Sequence, residues 1–80
     1  MIYIAIGPYC WGRAETTGAA IRGMKRAKPT FIPKERLKYH LYLCDDDATV
    51  NEQGMIVSKT EPKKIREVSF VGDQRIVKEF

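Results

Sequence analysis

The run Ile2-Tyr3-Ile4-Ala5-Ile6 has no polar face when the chain is extended. A strand with one wet side alternates apolar and polar residues, so this β-branched and aromatic run reads as an interior strand. Gly7-Pro8, a strong breaker pair, ends it. An interior strand needs neighbours and cover. A chain of 80 residues is long enough for a sheet with one helix across it, and too short for a barrel or a doubly wound sheet. Such a chain buries only about 60–65% of its unfolded surface, so its core is modest.

Residues 7–14 read as a loop carrying Tyr9, Cys10, Trp11 and Arg13. Glu15, Thr16 and Thr17 supply helix-start signals, with a threonine hydroxyl to cap and an acid for the positive end of the dipole. Ala20, Ile21, Met24 and Ala27 then recur at helical spacing, and Lys28-Pro29 stops the helix. Ala19, Gly23 and Ala27 form a second line of small residues. Gly23 costs about 1 kcal/mol of helix propensity relative to alanine, which close approach by another backbone can offset. That backbone is either the protein's own sheet or a second copy, so a homodimer through Ala19, Gly23 and Ala27 stays open.

Ile32 to Leu37 has room for one helical turn. From Lys38 to Cys44 the pattern alternates, with Tyr39, Leu41 and Leu43 expected inward and Lys38, His40, Tyr42 and Cys44 outward. Asp45-Asp46-Asp47 ends this strand, and Asn51-Glu52-Gln53-Gly54 is a turn in a hairpin loop. Met55–Lys59 and Ile65–Val71 read as third and fourth strands, with Val68 and Phe70 on one face. Gly72-Asp73-Gln74 turns into a short apolar stretch, Ile76-Val77. The expectation is a single α+β domain over residues 1–80, in the order β-α-β-β-β. Its sheet is rich in antiparallel pairs, with one helix packed on one face.

The formal charge of +4 hides a division. Residues 1–40 carry eight Lys or Arg against two Glu, and residues 41–80 carry six against eight acids. Arg22, Lys25, Arg26, Lys28, Lys34, Arg36 and Lys38 supply most of the excess and face only Glu35. A basic cluster of this kind points to an anionic partner, nucleic acid or an acidic protein surface, or else to a solvated face. Tyr9, Trp11 and Arg13 form an aromatic loop on which bases could stack, unless Trp11 closes the end of a thin core.

Catalytic sets are poorly supported. Cys10, His40 and an Asp of 45–47 are the types of a thiol nucleophile, base and orienting acid, but no local signature surrounds them. His40 and Cys44 lie four apart, which on a strand separates them by about 13 Å, too far for one zinc. The 45–52 segment lacks the glycine and final glutamate of a calcium loop, and no phosphate-cradling glycine motif occurs. No enzyme, cofactor or metal is therefore expected. With no secretory signal and no membrane span in view, the expectation is a cytoplasmic location with reduced thiols, a Cys10–Cys44 bond being the alternative.

Two resemblances bear on function. Ile2-Tyr3-Ile4 is similar to the first strand of RNA-recognition motifs and Arg66–Val71 faintly to the third. Glu67 and Val68, however, stand where that motif needs glycine and an aromatic, and only nine residues follow Val71. Membership is therefore not expected. The opening Met1-Ile2-Tyr3 strand, the Cys10-Trp11-Gly12-Arg13 segment and the short helix leading into a strand resemble short bacteriophage accessory frames, over residues 1–59. That resemblance implies a stoichiometric inhibitor of a host protein or of a protein–nucleic-acid complex, such as an RNA-guided defence complex. Direct DNA or RNA binding through the basic helix and connector is the alternative.

Overall fold

The computed structural model describes residues 1–80. Strand β1 (Ile2–Gly7) is interior, as its two apolar faces require. It pairs with β2 (Cys10–Ala14) on one side and β3 (Tyr39–Cys44) on the other, both antiparallel. Helix α1 spans Thr17–Arg26, and a 3-10 turn covers Lys34–Arg36. Two-residue strands β4 (Thr49–Val50) and β5 (Ile56–Val57) pair with each other. β6 (Lys63–Val71) and β7 (Gln74–Glu79) complete a five-stranded antiparallel sheet in the order β2-β1-β3-β6-β7. The class is α+β, one domain with the helix on one face of the sheet.

Two segments depart from the sequence expectation. Residues 10–14 are a strand, not loop, closed back on β1 by the two-residue turn Pro8-Tyr9. Their inward positions are Cys10 and Gly12, small because α1 lies directly upon them. The expected third strand shrinks to β5 and never joins the main sheet. After Cys44 the chain instead folds across the sheet's second face, where Ala48, Val50 and Ile56 cover Ile2 and Ile4.

The fold therefore has two small cores, one on each side of β1. Under α1 lie Ala5, Cys10, Ala20, Met24, Leu37, Tyr39, Leu41 and Val68. On the opposite face, Ile2, Ile4, Cys44 and Ala48 are buried, with Ile6 and Tyr42 packed beside them. Tyr39 and Leu41 point inward as expected, but Leu43 is only half-buried and Cys44, expected outward, is buried. The reason is that the outward face is itself covered at this end. A register shift between Leu41 and Tyr42 in the β3–β6 pairing accompanies the change.

Thr16 caps α1 by accepting from the Ala19 amide at 3.2 Å, and Lys25 and Arg26 sit favourably in its last turn. The line of small residues on α1 meets the protein's own sheet, since Gly23 lies against Gly12.

Candidate anion-binding surface

Three turns and one helix face gather the functional candidates. On α1, Arg22 and Arg26 are one turn apart with Lys25 between them, on the side turned away from the buried Ala20 and Met24. The connector after Pro29 brings Lys34 across to them. The result is a cleft of about 310 Å³ lined by Arg22, Lys25, Arg26 and Lys34 and by no other residue. None of the four belongs to an ion pair; the molecule's salt bridges are made by other groups. Cations held side by side without a counter-charge repel one another, and a bound anion relieves that repulsion.

The remaining basic candidates go elsewhere. Arg36 donates to Asp73 Oδ1 at 2.6 Å and to the Gly72 carbonyl, tying the connector to the β6–β7 turn. Lys28 lies close enough to Cys10 to pull its thiol pKa down, against the larger upward effect of burial. Lys38 lines a shallow groove with Gly7, Pro8 and His40. Four of the seven basic residues thus converge, two flank the β1–β2 turn, and one is engaged within the fold.

The aromatic candidates divide similarly. Arg13 reaches away from Tyr9 and Trp11: its Nε donates to the Ala48 carbonyl at 2.7 Å and its Nη2 to the Asp46 carbonyl at 2.6 Å. Tyr9 stands 85% exposed at the tip of the β1–β2 turn, and Trp11 is 42% exposed. A cleft of about 630 Å³ lies between this turn and the 51–54 turn, lined in part by Tyr9, Trp11, Asn51 and Gln53, with Glu52 its only acid.

Tyr9 has φ of 61°, the only non-glycine residue with positive φ. Pro at the first turn position followed by a left-handed residue is the type II pattern, whose second position favours glycine. A side chain there costs about 1–2 kcal/mol. Phe31, which sequence reasoning passed over, lies edge-on to Tyr9 with centroids 6.3 Å apart and is itself 74% exposed. The signal for it was weak: one aromatic in the otherwise polar Pro29–Lys34 connector.

The acidic turn is satisfied internally. Asp45 accepts from the Thr60 amide and hydroxyl at 3.1 and 3.0 Å, and the Thr60 amide in particular holds its carboxyl below the usual range. Asp46 meets the terminal amine of Met1 at 2.8 Å, and Asp47 meets Lys59 at 3.3 Å. The thiol–imidazole pair is not assembled either. Cys10 packs in the core beneath α1, whereas His40 stacks on Tyr42 and lies 3.6 Å from Glu67. Cys10 and Cys44 are free thiols in different cores, which removes the disulfide alternative.

No helix is long and apolar enough to cross a membrane. No protein-family model, curated protein or solved structure matches this chain.

Proposed function

We propose that this protein acts without catalysis, by stoichiometric contact with a larger macromolecule that presents phosphates or other anions. The cleft formed by Arg22, Lys25, Arg26 and Lys34, free of internal ion pairs, is the observation that carries the reading. A protein–nucleic-acid complex fits this chemistry best, in keeping with the inhibitor role implied by the likeness to bacteriophage accessory frames. Small size favours a blocker over an enzyme, since a domain of 80 residues has little interior from which to exclude water.

The test compares wild type with a variant reversed at Arg22→Glu, Arg26→Glu and Lys34→Glu, by affinity capture from bacterial lysate. A partner recovered in equimolar amount by wild type and lost by the variant is the expected result. Recovery of the same proteins by both removes the cleft from the interface.

Direct DNA or RNA binding is the second reading, favoured by the exposed aromatic rings beside Lys28 and Lys38. Arginine and lysine contacts to phosphate would make the affinity fall steeply with salt, by roughly one log unit per contact per log unit of salt.

A further inference from the structure

Tyr9 combines three properties that a purely structural residue does not need. Its backbone is left-handed, its ring is 85% exposed, and its one aromatic neighbour, Phe31, is exposed as well. Neither ring fills a core, so packing does not explain why a tyrosine occupies a position suited to glycine. Strained residues persist where the surroundings hold them, and they concentrate at binding sites. Trp11 lines the cleft on one side of the same turn, and Lys38 the groove on the other.

We infer that this end of the sheet is a stacking platform for unpaired bases, and that the occupant is a single-stranded stretch of nucleic acid. Bases present flat π-faces to exposed rings, and neighbouring cations hold the linking phosphates. Here the rings are Tyr9, Phe31 and Trp11, and the cations are Lys28 and Lys38. The two grooves that flank the turn contain one acid, Glu52, so the local charge favours a polyanion over an acidic-residue-seeking partner. Paired bases hide their faces, so a duplex offers these rings nothing to stack on. The inference rests on the reading of the basic surface as facing an anionic partner, and it names the part of that partner that is contacted.

The measurement is fluorescence anisotropy of a labelled oligothymidylate of about ten nucleotides, at about 50 mM salt, with Trp11 emission followed in parallel. A duplex of equal length and polyglutamate serve as comparisons. The single strand is expected to bind more tightly than either and to quench Trp11. Tyr9→Gly and Phe31→Ala are each expected to weaken it about tenfold without changing the salt slope. Tyr9→Gly relieves backbone strain, so its loss of binding cannot be assigned to unfolding, and circular dichroism checks this directly.

No binding of the single strand at low salt overturns the inference, as does equal affinity for the duplex. So does unchanged affinity in both variants. Any of these leaves the capture result at Arg22, Arg26 and Lys34 free to stand, so the two readings fail separately.

Discussion

Gly12 on β2 and Gly23 on α1 face each other across the sheet–helix interface, and a Cβ added to Gly23 would lie 3.6 Å from the Gly12 Cα. The relationship is not symmetrical. A Cβ on Gly12 would fall 2.1 Å from the Ala20 carbonyl oxygen and 2.4 Å from the Met24 amide nitrogen, inside the helix backbone. The helix can sit this close to the sheet only because β2 has no side chain at that point.

Opposite outcomes are therefore expected at the two glycines. Gly12→Ala forces backbone apart and should destabilise by about 3 kcal/mol, at the upper end of overpacking costs. Gly23→Ala adds a methyl at ordinary contact distance and gains helix propensity, so it should stabilise by up to about 1 kcal/mol. Denaturant midpoints at constant m-value distinguish the two.

Arg36 and Arg22 should also part company. Arg36→Ala removes the contacts to Asp73 and Gly72, so amide exchange in β7 is expected to quicken while affinity for polyanions stays near wild type. Arg22→Ala should do the reverse, lowering the salt slope by roughly one and leaving β7 protected. Equal losses of affinity in the two variants would show that the cleft has no special standing among the basic residues.

Acid should weaken the fold in part through Asp45. Its carboxyl pKa is lowered by the Thr60 amide, so folding favours the ionised form. The associated stability is present above the ordinary carboxylate range and is lost as pH falls through the depressed value. Melting temperature should drop between about pH 5 and pH 2, and Asp45→Asn should show a shallower drop from a lower starting point.

Both thiols should be inert in the native protein. Cys10 is 6% exposed and Cys44 2%, and burial raises both pKa values, with Asp45 adding to the effect at Cys44. Reaction with an aromatic disulfide reagent should be limited by opening of the fold and become fast in denaturant. Above about pH 8.5 the unfolded chain loses thiol protons that the native state retains, so stability should fall with rising pH.

Much of the fold could be read from the sequence, for identifiable reasons. β1 and α1 declare themselves through composition and period, and Tyr39 and Leu41 through alternation. β2 was hidden because Cys10, Gly12 and Ala14 have low strand propensity, and they are small to suit a helix that the local sequence does not reveal. Leu43 and Cys44 exchanged places because a second core on the far face cannot be read from one strand's pattern. At the site, charge told where cations are abundant. It could not tell that Lys34 joins the helix cluster while Arg36 turns to Asp73, since that depends on how the connector crosses the surface. Phe31 became legible only as the neighbour of Tyr9.

The difference in bulk between the two faces of β1 has a consequence for how reliably this protein assembles. Ile2 and Ile4 enter one core, while Ala5 enters the other, close beneath the helix. A slip of one residue in pairing exchanges the faces of a strand. In this chain it would drive isoleucines toward a helix that tolerates no Cβ at Gly12. Misaligned pairings are thus rejected by collision and not merely disfavoured by lost contacts, and the strand with the least polar pattern in the molecule is also the one least able to settle in a wrong alignment.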